Sequence, residues 1–236
     1  MNKIVQAFIL LTKISLIKTI YFNFKHLPWR IAIRIPIYVY RGVELMNDSG
    51  LVEVVVGGGR NPIKIGEPMN KTGYKQKTVW SNKGKTILYG GVIVGSGSVI
   101  DVGFQGTLTL GTKVVITGPT TIRCQESISI GESSLLSWDI LLMDSDFHPI
   151  YYIIDKENEN FINKNVPIEI GKHVWIGCRC MILKGTNVSD NNIIAAGTIL
   201  SGDIDKSNSI IANKLSINYI KQNVCWDKNL IVNCSN

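Results

Sequence analysis

Six aliphatic positions recur in phase between residues 170 and 204: Ile170, Ile176, Ile182, Val188, Ile194 and Leu200. A helix repeats every 3.6 residues and a strand every 2, so neither holds a six-residue period over such a length. Short strands alternating with turns do hold it, the chain then winding into a parallel β-helix of about 18 residues per triangular coil. The repeating side chains fill the interior, and successive coils stack at about 4.8 Å through backbone hydrogen bonds. Small residues four places further on (Cys180, Thr186, Thr198) suit tight corners, and glycines at 171, 177 and 197 allow sharp turns. Earlier traces of the same period are Val94 and Ile100, then Leu110, Ile116, Ile122 and Ile128, then Ile130, Leu136 and Leu142.

The array is broken once, by DSDFHPIYYIIDKENENFINKNVP at 144–167, which is polar and has no period of six. Flanked by in-phase hexads, this segment reads as an arm leaving the solenoid at a corner, a place where repeat scaffolds carry function. Before the repeats, residues 3–20 put Ile4, Phe8, Leu11 and Ile14 at helical spacing among lysines, an amphipathic helix expected either to cap the solenoid end or to lie on anionic lipid. From 21 to 41 the pattern turns to alternation, with Ile31, Ile33 and Ile35 opposite Arg30 and Arg34. That predicts a strand bounded by Pro28 and Pro36. Residues 57–62 read as a loop and 66–86 as an irregular connection. The expected division is therefore 1–86 as an N-terminal helix/strand and connecting segment, 87–213 as the β-helix with its insertion at 144–167, and 214–236 as a short C-terminal cap.

Charge is uneven. The net charge is +7, and seven Lys or Arg lie in the first 43 residues without an acid, so the remainder is near neutral. No basic stripe interleaved with aromatics runs through the repeats, which argues against a nucleic-acid surface. The five cysteines (Cys124, Cys178, Cys180, Cys225, Cys234) contain no CxxC pair, so reduced thiols in a cytoplasmic protein are expected rather than disulfides or a zinc site. Lys13 and Lys18 interrupt the apolar N-terminal run, which is too short for a membrane span, and no small-residue cleavage site follows it.

There are three histidines. His26 falls in the aromatic N-terminal segment and reads as structural, and His173 sits at an outward position of a hexad. His148 stands where the repeat breaks, after Asp144 and Asp146 and before Pro149. A histidine near neutral pKa can take a proton from a hydroxyl, and an adjacent carboxylate can fix its tautomer, although aspartates there also suit a turn.

The hexad array, DSDFHPI, the inserted arm and then IEIGKHVWIGCRCMILKGTNVSDNNIIAAGTILSGDI together resemble the left-handed parallel β-helix O-acetyltransferases, in particular those of bacterial sugars and polysaccharides, over about residues 90–204. The resemblance implies a left-handed solenoid, acetyl-CoA as co-substrate, a sugar or glycan acceptor, a homotrimer with sites between subunits, and no metal. His148 matches the family's general base, which deprotonates an acceptor hydroxyl for direct attack on the thioester, with Asp144 or Asp146 as its carboxylate. Trp175 matches a tryptophan at the border of the site. Gly177, Cys178, Ala195, Ala196 and Ser201 match positions along the pantetheine arm, with backbone N–H groups near Trp175–Gly177 or Ala195–Ala196 as oxyanion donors. Asn163 and Lys164 on the arm are expected to reach the acceptor. The chain departs from the family at Gly202, where many relatives carry a basic residue, and at IANKL, where Lys214 is a loose match to a lysine near the CoA phosphates. Two other classes are a non-catalytic solenoid for binding or assembly, and a metal-dependent β-helix enzyme that would need three convergent histidines.

Overall fold

The computed structural model describes residues 12–55, 61–69, 77–153, 161–213 and 224–226. Lys214 and most of the expected C-terminal cap lie outside them. Three parallel sheets form the sides of a triangular prism. The first begins with Ile37–Val39, passes through Leu135–Leu136, Trp175–Ile176 and Ile193–Ile194, and ends at Ile210–Ile211. The second runs from Val43–Asn47 through Ile140–Met143 and Met181–Leu183 to Ile199–Leu200. The third runs from Leu51–Val55 through Ser127–Ile130, Ile168–Ile170 and Asn187–Val188 to Asp203–Ile204. The chain visits the sheets in strict rotation, and every pairing within them is parallel. Trp175 pairs with Ile193, as an eighteen-residue coil requires.

The hexad residues point inward as the period demands. Ile116, Ile122, Ile128, Leu136, Leu142, Ile176, Ile182 and Ile194 are fully buried, each contributing roughly 1.5–3 kcal/mol through removal from water. Corner slots take Cys180, Thr186 and Thr198, all buried. At the edge between the third and first sheets, Lys113, Ser133, His173, Asn191 and Asn208 stack in a column with φ between +55° and +60°, a left-handed turn repeated coil after coil. His173 belongs to this column, and its Nδ1 meets Asn191 Oδ1 at 3.1 Å, so its place is a structural one.

The solenoid starts about fifty residues before the expected boundary at residue 87. Ile63–Glu67, Thr78–Asn82 and Lys85–Tyr89 are full members of the three sheets, and the first coil begins at Ile37. Thr78, Trp80, Asn82 and Thr86 occupy the inward positions there and are buried. Polar and aromatic residues in interior slots hide the aliphatic period, which is why this stretch reads as an irregular connection.

The N-terminal segment also differs from expectation. The helix runs over Leu16–His26, with Ser15 as its cap, whose Oγ accepts from the Lys18 N–H at 3.4 Å. Ile14 is instead in a β-bridge with Tyr40, and Ile4, Phe8 and Leu11 lie outside the described residues. The strand expected around Ile31–Ile35 is absent. Pro28 opens a helical turn at Trp29–Ala32, its carbonyl accepting from Ile31 and Ala32, and the strand begins only after Pro36. The alternation of Ile31, Ile33 and Ile35 reflects no sheet face, since Ile33 is exposed and Ile35 has φ +46°.

His26 ends the longer helix with a buried ring packed on Phe22, centroids 4.6 Å apart, and Nε2 lies 3.9 Å from Asp48. Burial pushes its pKa below the usual value. Among the described residues no helix is long and apolar enough to cross a membrane.

Candidate functional site

The arm leaves the prism at the edge between the second and third sheets, after Ile140–Met143 and before Ile168–Ile170. Its root is fastened by Asp144, which is buried and uses both carboxylate oxygens on the coil before: Oδ1 accepts from the Gln125 N–H at 2.7 Å and Oδ2 from the Glu126 N–H at 2.9 Å. Burial pushes its pKa up, against those two bonds. Asp144 is thus a corner clamp and is not the carboxylate that orients His148.

His148 follows Phe147, whose φ of +62° turns the chain sharply outward. The His148 N–H returns to the Asp146 carbonyl at 2.7 Å. The residue that fixes this turn is Asn163, from the far limb of the arm. Its Oδ1 accepts from the Ile150 N–H at 2.7 Å, and its Nδ2 donates to the His148 carbonyl and to Asp146 Oδ2, both at 2.8 Å. Asn163 is buried with its amide fully engaged, so it holds the histidine loop rather than reaching an acceptor. Asp146 Oδ2 also accepts from Lys184 Nζ at 2.5 Å, and the same ammonium donates to the Lys164 carbonyl at 3.2 Å. Lys164 therefore contributes its backbone to the cluster, with an exposed side chain.

Lys184, on the next coil, is the member that the sequence does not disclose. It lies in ILKGT, an ordinary corner phrase, and only the stacking of coils brings it to the arm. On the near side, Arg123 covers the Phe147 ring at 5.8 Å from its centroid and pairs with Asp101 at 2.9 Å. His148 is consequently presented, half-buried, on a turn braced by a buried amide and an ion pair. Farther out, Ile150–Tyr152 pairs antiparallel with Val224–Trp226, which joins the arm to the end of the chain.

Four of the five residues matched to the pantetheine arm, all but Ser201, gather on a different edge, between the first and second sheets. Gly177 and Cys178 follow Trp175–Ile176, and Ala195 and Ala196 follow Ile193–Ile194 one coil later. A Cβ on Gly177 would lie 2.6 Å from the Ala196 nitrogen, so the stacking of coils itself requires glycine there. Gly177 is buried, whereas Cys178, Ala195 and Ala196 reach the surface. The N–H groups of Trp175, Gly177 and Ala195 donate to the carbonyls of Asn192, Ile194 and Ile211, which removes these three as oxyanion donors. Trp175 stands 49 % exposed on the first sheet, its Nε1 donating to Ser137 Oγ at 3.2 Å.

Ser201 and Gly202 lie on the same edge as His148, two coils on. Gly202 has φ +93°, a backbone conformation that disfavours the basic side chain found there in the family. Cys180 is buried, with its Sγ 3.1 Å from the Ala195 carbonyl, and burial raises its pKa, as it does that of Cys124. Neither thiol is placed as a nucleophile. The three histidines occupy three separate places: the N-terminal helix, the arm, and the column between the third and first sheets.

This architecture is that of the left-handed parallel β-helix proteins, shared with the crystal structure of the polysialic-acid-specific acetyltransferase NeuO, with a TM-score of 0.52 and 19 % identity over 75 % of each chain. No family model matches the chain. In sequence it is similar to a polysialic acid O-acetyltransferase of Escherichia coli O1:K1, 30 % identical over 137 residues, or 58 % of this chain and 41 % of the relative. It is also similar to the galactoside O-acetyltransferase of Escherichia coli K12, 33 % identical over 84 residues, 36 % of this chain and 39 % of the relative. The chain thus spans about two fifths of the length of these relatives.

Proposed function

We propose that this protein is an acetyl-CoA-dependent O-acetyltransferase acting on a hydroxyl of a sugar or polysaccharide precursor. The observation that supports it most is the mounting of His148 on a braced turn at the corner where the solenoid is interrupted, in a chain similar to O-acetyltransferases of sugars and glycans. In this reading His148 takes the proton of the acceptor hydroxyl as its oxygen attacks the thioester carbonyl. The ester C–O bond forms, the C–S bond breaks, and the proton ends on the sulfur of CoA. No acyl-enzyme is needed, in keeping with the buried Cys180. Donors outside the stacking ladder, the Cys178 and Ala196 N–H groups, are the ones that remain for the developing oxyanion.

The His148 edge and the Trp175–Ala195 edge bound opposite sides of the second sheet, so one chain does not bring them together. A homotrimer whose neighbouring copies pair these unlike edges would complete the site. Trp175, Cys178, Ala195 and Ala196 of one copy would then hold the pantetheine beside His148 of the next.

The reading is tested by following CoA release from acetyl-CoA in the presence of free sugars, nucleotide sugars and lipid-linked glycans. Acceptor-dependent release, with the acetyl group recovered as an ester on the acceptor, is expected. No acceptor-dependent release from any of them, together with no acetyl-CoA binding at millimolar concentration, would favour a non-catalytic solenoid.

A positioning role for Asn163 makes a separate prediction. Asn163→Ala frees the His148 turn while leaving the cofactor edge untouched, so kcat should fall by as much as ~10²-fold with the KM for acetyl-CoA unchanged. Steady-state kinetics at saturating acceptor check this. An unchanged kcat would mean that the amide only supports the fold of the arm.

A further inference from the structure

The helix Leu16–His26 is amphipathic in a sense opposite to that expected of a cap. Its inward face is polar. Thr19 and Asn23 are buried against Ile37–Val39, the first strand of the first sheet: Val39 N–H donates to Thr19 Oγ1 at 3.0 Å, Ile37 N–H to Asn23 Oδ1 at 3.2 Å, and Asn23 Nδ2 to the Ile37 carbonyl at 2.7 Å. These side chains satisfy a strand edge that would otherwise be left open. Only Phe22 adds a large apolar group to that face.

The apolar residues of the helix point the other way. Leu16, Ile17, Ile20, Tyr21 and Phe24 follow helical spacing and are between 47 % and 84 % exposed, and the stripe continues through Trp29 at 67 % and Ile33 at 64 %. Seven large side chains on eighteen residues is far more than the scattered exposed hydrophobics of an ordinary surface. Exposed Lys13, Arg30 and Arg34 border it, and the chain contains no acid before Glu44. Asp48, which lies beside the helix, is tied to Lys25 at 2.6 Å. The Arg30 guanidinium lies over the Trp29 ring, 5.5 Å from its centroid, so cation and interfacial aromatic are held at one level.

We infer that this face docks on an anionic lipid bilayer, the Leu16–Phe24 stripe and Trp29 entering the headgroup–acyl boundary while Lys13, Arg30 and Arg34 meet lipid phosphates. A second copy of the chain fits the surface poorly. A two-fold contact would set its cations against themselves with no acid to answer them. A bilayer supplies apolar depth and negative charge together. The inference stands on this surface alone and does not use the catalytic reading.

Co-sedimentation of the full chain with vesicles tests it. Partitioning onto vesicles of phosphatidylcholine with about a third phosphatidylglycerol should exceed that onto pure phosphatidylcholine at least tenfold, and should weaken from about 0.1 to 0.5 M salt. The paired change Ile17→Ser with Phe24→Ser, both at exposed positions, should abolish binding with the circular dichroism spectrum unchanged, and Arg30→Glu with Arg34→Glu should reduce it at least tenfold. Equal partitioning onto the two vesicle types, or binding that survives the serine pair, would overturn the proposal. So would a fall in solution mass in the serine pair with vesicle binding intact, since that would assign the face to a second copy.

Discussion

Replacing His148 by alanine is expected to lower the rate of acetyl transfer by about 10²–10⁴-fold, the contribution typical of a general base acting on a hydroxyl. The fold should survive. His148 is half-buried on the outside of the solenoid, and the bonds that shape its turn come from its backbone N–H and carbonyl, which alanine keeps. Acetyl-CoA binding should also survive, because Gly177, Cys178, Ala195 and Ala196 lie across the second sheet from the arm and Ser201 is two coils away from it. Both can be measured on the same sample, binding by calorimetry and turnover by CoA release. Activity within a few-fold of the parent would remove the histidine from the chemistry and leave the arm with an acceptor-shaping role only.

Much of this arrangement is legible in the order of residues alone, because two of its components are periodic or punctual. The hexads from Ile170 to Leu200 specify the coil, and the loss of phase at Asp144 marks where an arm must leave. The relation of Trp175 to Ile193 then follows from one turn of eighteen residues, as observed. What is illegible depends on side chains from different coils. Lys184 approaches Asp146 only through stacking, and Asn163 approaches His148 only through folding of the arm, so nothing in the local sequence of either residue announces the contact. Asp144 and Asp146 look equivalent in DSD, yet opposite directions of their side chains make one a buried clamp for the preceding coil and the other a partner of Lys184. The second coil is hidden for another reason, several of its interior slots being filled by Thr78, Trp80, Asn82 and Thr86 rather than by aliphatics. The helix Leu16–His26 inverts the usual polarity. Helical spacing of apolar residues normally marks the packed face, but here a strand edge needs hydrogen-bonding partners, and Thr19 and Asn23 supply them.

That polar seam places an unusual share of the attachment of the helix on one aromatic contact, which sets the second large effect. Trp80 is fully buried on the second sheet, and Phe22, fully buried on the helix, meets its ring edge-on with centroids 5.5 Å apart. Trp80→Ala should destabilise the chain by about 3–5 kcal/mol, the cost of an aromatic-sized cavity in a core that cannot fully collapse. The indole Nε1 is buried and has no hydrogen-bond partner among the described residues, so the loss is one of packing rather than of a polar bond. Trp80→Phe keeps a ring facing Phe22 and should cost less. Because a solenoid is stabilised coil by coil, the loss should fall first on the N-terminal end. In native-state hydrogen exchange, amides of Ile37–Val39 should lose protection before those of Ile176 or Ile194. A double-mutant cycle of Trp80→Ala with Phe22→Ala should show a coupling of roughly 0.5–1.5 kcal/mol, the range for an aromatic pair beyond its buried area. Additive losses, or exchange that rises uniformly along the prism, would show that the helix is held without the Phe22–Trp80 contact and that Trp80 serves only to fill its own coil.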